Sequence, residues 1–296
     1  MTSKFIRLRY RVVEGAPIRT VEDALAITGS LSVTRGEFAV YRGQSVYSWM
    51  LRPKAFRLSR WYRHERDMVR ELISTHPQEF VSDTLMVDRL VRMQHYDLPT
   101  RLLDVSQNFL AALFFACDHD REKPDEAGAV FIIKGNASEK KYYDSDAVSL
   151  VSNLSNLSEK EKIELFEKAP DNETHPEGDG FNTFPATERL LQFVRDEKPY
   201  FRSRALKSDL RRTFLLIPKK NNRRIVAQSG AFLVFGLIGA DRNPDLRRFQ
   251  ISRHQVPRES KDAIRHALEG LGITAANLFP EIDRAAAFIA DRFRNT

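Results

Sequence analysis

The chain has a single cysteine, Cys117, among 296 residues, so it can form no disulfide within itself and no cysteine zinc cluster. No eighteen apolar residues follow one another, and no membrane-spanning helix is expected. The first residues lead into Arg7, Arg9 and Arg11 rather than into an apolar stretch, so a secretory signal is not expected either. Gly-x-Ser-x-Gly, His-Glu-x-x-His and P-loop patterns are all missing, which argues against serine hydrolases, zinc proteases and P-loop nucleotidases. There is no internal repeat. Together these absences describe a cytoplasmic protein with no membrane contact and no metal site.

What is present fits an ordinary folded chain. Hydrophobic residues make up 42% and charged residues 29%, a globular balance rather than a disordered one. The length allows one large domain, taken here as the whole of residues 1–296. The net charge of +7 is unevenly spread: residues 201–258 carry 14 Lys or Arg against three Asp, whereas residues 136–200 carry 14 acidic residues against eight basic ones. The basic stretch could attract RNA, DNA, a nucleotide phosphate or an acidic protein partner, or it could be a solvated surface balanced by the acidic middle.

Periodicity predicts an α/β (α+β) fold: a central mixed sheet packed by helices, with residues 136–200 as a mainly helical insertion. Phe5 to Val13 reads as a short strand, and Thr20 with Asp23 as a capping box opening a helix. Glu37 to Gln44 is apolar on both faces, as a central strand is. Arg42 then shares a face with Phe38 and Val40. A buried guanidinium needs an anion, either a carboxylate of the protein or a ligand phosphate. Gly43 would allow a sharp turn or close approach of a ligand to the backbone. Gly128 to Gly135, Thr213 to Pro218, Ala231 to Gly236 and Phe249 to Val256 read as further strands, with helices at Pro257 to Leu271 and Pro280 to Phe293.

The densest polar cluster lies at residues 93–104, Met-Gln-His-Tyr-Asp-Leu-Pro-Thr-Arg-Leu-Leu-Asp. A helix over roughly 83–97 carries Gln94 in register with Val87 and Val91, so Gln94 faces the core as a latch or a ligand contact. His95, at the edge of that stripe, is either a packed residue or a base. No second histidine stands three or four residues from it, so it is a poor metal ligand. Asp104 with Gln107 fits a helix-capping pattern ahead of the apolar run Phe109 to Cys117, with Ser106 as the competing cap. Asp104 could equally pair with Arg101 or Arg42, or act as a catalytic carboxylate.

Tyr-Arg-Gly-Gln at 41–44, Gln-His-Tyr-x-Leu-Pro-Thr-Arg-Leu-Leu-Asp at 94–104, Gln-x-Gly-x-Phe at 228–232 and Leu-Phe-Pro-Glu at 278–281 resemble the FRG domain family of bacteria and phages, over residues 37–293. The family commonly has glycine where Asp97 stands and Trp-Thr where Val105 and Ser106 stand. The resemblance implies one site. Its ligand-binding residues are Tyr41, Arg42, Gly43, Gln44, Gln94, Thr100, Arg101 and Ser229, and its catalytic residues are Asp104, His95 and Gln228. Two arginines imply a phosphate-bearing ligand. A strand ending in Tyr-Arg-Gly is also similar to the first motif of arginine-type ADP-ribosyltransferases, which implies NAD as cofactor. The later Ser-Thr-Ser motif of those enzymes is missing, and Gln228 stands where their glutamate does, so Asp104, Glu188 or Glu281 would have to supply the charge. The implied cellular role is a toxin or phage-defence effector, with an antitoxin or other protein partner. The alternative is a nucleic-acid-binding or partner-binding module that uses the basic stretch.

Overall fold

A computed structural model describes residues 10–120, 122–168, 181–202, 207–239 and 243–280. The chain is α/β, with one mixed eight-stranded sheet flanked by helices. The strands are β1 (Val12–Glu14), β2 (Glu37–Gln44), β3 (Leu102–Ser106), β4 (Gly128–Asn136), β5 (Lys140–Tyr142), β6 (Thr213–Ile217), β7 (Gly230–Phe235) and β8 (Gln250–Val256). Across the sheet they run β1-β8-β4-β2-β3-β7-β6-β5, antiparallel except for the outer pairs β1 with β8 and β5 with β6. The first strand is shorter than its composition predicts, and residues 5–9 of that expectation lie outside the described residues.

The sheet is covered on both faces, which is why its inner strands are apolar on both sides. On one face Phe38, Val40, Leu103, Val105, Phe131 and Leu233 pack against Leu51, Phe56 and Tyr62. On the other face Val130 and Ile132 meet the Phe109–Ala116 helix, which is apolar all round and enclosed. Further across that face, Phe214, Leu216, Phe232 and Val234 meet the Met86–His95 and Asp146–Asn153 helices. Each fully enclosed Leu or Phe stabilises the fold by roughly 1.5–3 kcal/mol relative to exposure.

Two glycines set how closely the central helix lies on the sheet. A Cβ on Gly43 would stand 1.8 Å from Ala112 O, and one on Gly128 would stand 2.0 Å from Ala116 O. Gly43 therefore serves helix packing, within strand β2 rather than at a sharp turn.

The predicted capping box is present: Thr20 Oγ1 accepts from Asp23 N at 3.2 Å, and Asp23 Oδ2 accepts from Thr20 N at 3.1 Å. The stretch 136–200 holds the helices Asp146–Asn153, Glu159–Lys168 and Pro185–Glu197 around their own apolar cluster of Leu150, Leu154, Leu165, Leu190 and Val194. It also contributes β5, so it is joined to the sheet as well as packed beside it. The expected helix from Pro280 to Phe293 falls, after its first residue, outside the described residues.

Candidate functional site

Strands β2 and β4 pair over eight positions, and β3 and β7 over five, but β2 and β3 meet at one position only, Tyr41 with Ser106. Beyond that bridge the two strands part, and backbone groups that a ladder would satisfy need other partners. Arg42 supplies one of them, its Nη1 donating to Asp104 O at 2.6 Å. The gap opens into a cleft of about 220 Å³ lined by Tyr41, Arg42, Gly43 and Gln44 from β2, Asp104 to Ser106 from β3, and Ala112 and Phe115 from the central helix. Ser45, Trp49, Asp118, Arg224 and Gln228 complete it.

Arg42 is only 15% exposed and does not find a close counter-ion. The nearest carboxylate oxygen, Asp104 Oδ2, is 3.9 Å from Nη1. With the Gln44 amide oriented to satisfy its neighbours, Gln44 accepts from Arg42 Nε at 3.2 Å and donates to Trp49 O at 3.1 Å. Burial lowers the guanidinium pKa to about 10 against the opposing pull of Asp104, so it stays charged at neutral pH. Its second terminal nitrogen has no partner among the described residues, and the side chain lines the cleft. An arginine with one free edge is suited to a phosphate oxygen.

The expectation that Asp104 caps a helix is overturned. Residues 102–106 form β3, and the helix that follows is capped by Asn108, whose Oδ1 accepts from Leu110 N at 2.9 Å. Ser106 does not cap it either: its hydroxyl donates to Gln228 O at 2.7 Å and accepts from Asn108 N at 2.9 Å. Asp104 is left half-exposed at the cleft wall. Both of its side-chain contacts fall on Oδ2, from Gln94 Nε2 at 2.9 Å and from Arg42. Oδ1 has no protein partner among the described residues.

Gln94 stands behind this carboxylate. The Thr100 hydroxyl donates to Gln94 Oε1 and accepts from Leu102 N at 3.2 Å, so the amide presents Nε2 to Asp104. Gln94 and Thr100 are thus supports of the cleft wall, outside its lining. The turn between them places Asp97 at φ 64°, the left-handed conformation glycine adopts without strain. The Asp97 carboxylate pairs with Lys54 at 2.7 Å.

Three other expected site residues lie elsewhere. Arg101 is fully enclosed, bonded through Nε and Nη2 to Glu65 at 2.8 and 2.5 Å and through Nη1 to Phe235 O at 3.0 Å, so it latches the fold and cannot reach a ligand. His95 Nδ1 accepts from Asn222 Nδ2 at 2.8 Å and lines a separate, smaller pocket of about 90 Å³ with Asp83, Asp88 and Lys219. Ser229 is a left-handed turn residue at φ 46° whose carbonyl accepts from Gln107 N at 2.9 Å. Gln228 does line the cleft, but its Nε2 donates to Leu278 O at 3.0 Å, and it is an amide with no charge to offer. Glu188 belongs to the Pro185–Glu197 helix away from the cleft, and Glu281 lies outside the described residues.

Tyr41 faces the central helix, its ring edge-on to Phe109 at 5.1 Å, and burial raises its phenol pKa. Sequence reasoning passed over Trp49, Phe115, Asp118 and Arg224. Arg224 sat unremarked in the basic stretch; its guanidinium lies 5.0 Å from the Phe279 ring centroid. Asp118 pairs with Arg265, and its carbonyl accepts from the enclosed Lys261 at 3.0 Å.

Several cations of the basic stretch pair with acids from elsewhere in the chain. Lys219 pairs with Asp88 at 2.7 Å, Arg212 with Glu139 at 2.6 Å and Arg253 with Glu14 at 2.5 Å. Among its described residues, Lys220, Arg223 and Arg224 make no ion pair, and of these Arg224 lines the cleft. No helix among the described residues is long and apolar enough to cross a membrane, and no group of three or more His, Cys, Asp or Glu among them could hold a metal ion.

Residues 37–125 match the family model of the FRG domain, so an FRG domain is present. The matched span contains Arg42, Gln94 and Asp104 and stops short of Arg224 and Gln228, a narrower reach than the motif resemblance implied. Neither a search of curated proteins nor one of solved structures finds a match.

Proposed function

We propose that this FRG-domain protein binds a phosphate-bearing ligand, a nucleotide or NAD, in the opening between β2 and β3, and that Asp104 is the catalytic carboxylate of an ADP-ribosyltransferase-like reaction. One observation carries this reading: a guanidinium and a carboxylate without a close mutual pair stand on the wall of one cleft, each with an unused edge. A buried charge left incompletely compensated is costly, and a ligand that engages it recovers that cost.

In ADP-ribosyl transfer the bond between ribose C1′ and nicotinamide breaks, nicotinamide keeps the electron pair, and the acceptor's nucleophile bonds to C1′ while giving up its proton. Positive charge develops on the sugar, and a fixed carboxylate lowers that barrier. Asp104, oriented by Gln94 and Thr100, is the residue suited to this part. Arg42 and Arg224 would hold phosphate. The cellular role we attach to it is that of a toxin or antiviral-defence effector working with a protein partner, supported by the spread of the FRG family among bacteria and phages.

The test is calorimetric titration with NAD together with release of nicotinamide. Arg42→Met and Arg224→Ala are expected to weaken NAD binding at least tenfold, about 1.4 kcal/mol. Asp104→Asn is expected to keep binding while losing nicotinamide release by 100-fold or more, the size of effect that removing one charge-stabilising group has on such barriers. Retention of full release by Asp104→Asn removes the catalytic assignment, and NAD binding unaffected by both arginine variants removes the cleft.

A further inference from the structure

The chain has two tryptophans, and one of them, Trp49, is spent on the cleft wall, where it remains 36% exposed beside Arg42 and Asp104. Two neighbours hold it: Gln44, which also lines the cleft, and Arg57, which does not. Gln44 donates to its carbonyl, and the Arg57 guanidinium lies over its ring at 5.9 Å from the centroid, while Arg57 itself is not among the lining residues. Trp49 thus lines the cleft while still partly exposed, with Arg57 over its ring.

Phe115, Val105 and Ala112 add further apolar lining to the cleft. A bare phosphate has no use for such a surface, whereas a planar heterocycle gains from stacking on it. The cleft volume of about 220 Å³ is below the roughly 300–1,000 Å³ of pockets that enclose whole drug-sized ligands, so it cannot surround a dinucleotide. Resting on the reading of the cleft as phosphate-binding, we infer that its ligand is recognised as one nucleotide unit, phosphate on Arg42 and Arg224 and heterocyclic base stacked on Trp49, whether that unit is free or is half of NAD.

The experiment uses the full chain carrying Trp61→Phe, which leaves Trp49 as the only tryptophan. Its fluorescence is followed on titration with AMP, nicotinamide mononucleotide, NAD, ribose 5-phosphate and inorganic phosphate, with affinities from calorimetry. A mononucleotide is expected to quench Trp49 and to bind about tenfold or more tightly than ribose 5-phosphate. Trp49→Ala is expected to remove that advantage while leaving ribose 5-phosphate binding unchanged, which also shows the variant folded; Trp49→Phe keeps most of it. NAD binding no better than its stronger half identifies that half as the unit, and failure of NAD to bind identifies a free nucleotide; both uphold the inference. NAD binding more than tenfold tighter than either half overturns it. So does equal affinity for mononucleotide and ribose 5-phosphate, or a mononucleotide affinity untouched by Trp49→Ala. If those affinities still depend on Arg224, the phosphate cleft stands and only the stacking falls; if no phosphate compound binds, both fall.

Discussion

Glu65 is 1% exposed and ionised, a combination that depends wholly on its two partners. Burial alone would raise its carboxyl pKa, but Arg101, with contacts at 2.5 and 2.8 Å, and Lys162 at 2.6 Å hold it down at about 2, below the ordinary 4.5. The unfolded chain binds that proton more tightly than the folded one, so this contribution to stability is complete above about pH 4.5 and is lost as pH falls toward 2. Urea unfolding measured from about pH 6 down to about pH 3 should show stability dropping over that acid range. Glu65→Gln should flatten the drop and lower stability at neutral pH by about 3–5 kcal/mol, because two enclosed cations lose their counter-charge. An unchanged acid slope in Glu65→Gln would assign the drop to other carboxylates. In the sequence, Arg101 and Arg42 look alike, two arginines in polar motifs. Their difference lies in partners far along the chain: Glu65 and Lys162 enclose one, and only the distant Asp104 faces the other. Local spacing holds no trace of that.

At the scale of elements, the helix Phe109–Ala116 and strand β2 were legible because hydrophobic pattern alone decides them. The stretch before the helix was not. Asp104, Ser106 and Gln107 satisfy a capping pattern that reads only four residues, whereas Leu102 to Ser106 are drawn into the sheet by a ladder to β7, whose residues lie at 230–235. A non-local pairing overrode a local signal. The consequence separates two residues that look equally apt as caps. Asn108→Ala should cost about 1 kcal/mol by removing the bond to Leu110 N, whereas Asp104→Ala, at a half-exposed position, should stay within about 0.5 kcal/mol. Midpoints of urea unfolding for the two variants decide it, and a larger loss in Asp104→Ala would return Asp104 to a structural role. The same ladder explains why Asp104 is available for chemistry: residue 104 pairs with Phe232 on one side and faces the open gap on the other.

For the whole molecule, the matched span of residues 37–125 and the physical unit are different things. Periodicity foretold a mixed sheet with helices, but the order β1-β8-β4-β2-β3-β7-β6-β5 places sequence-distant strands side by side, and no local pattern encodes that. Inside the matched span lie only β2 and β3, which touch each other at a single position. Their long ladders run to β4 and to β7, both outside it, and the helix seated on Gly43 is equally seated on Gly128 of β4. Lys162, which completes the Glu65 triad, and Arg224 and Gln228, which complete the cleft, are outside as well. A fragment of residues 37–125 would expose the unpaired edges of both strands and the apolar faces of Phe38, Val40, Leu103 and Val105, against a chain entropy cost that grows with every ordered residue. It is therefore expected not to fold alone: no cooperative urea transition, and amide resonances confined to the narrow range of an unfolded chain, while the full chain unfolds cooperatively. A cooperative transition in the shorter fragment would mean that β2 and β3 can close the gap between them, and the cleft would then be a product of the strands that hold them apart.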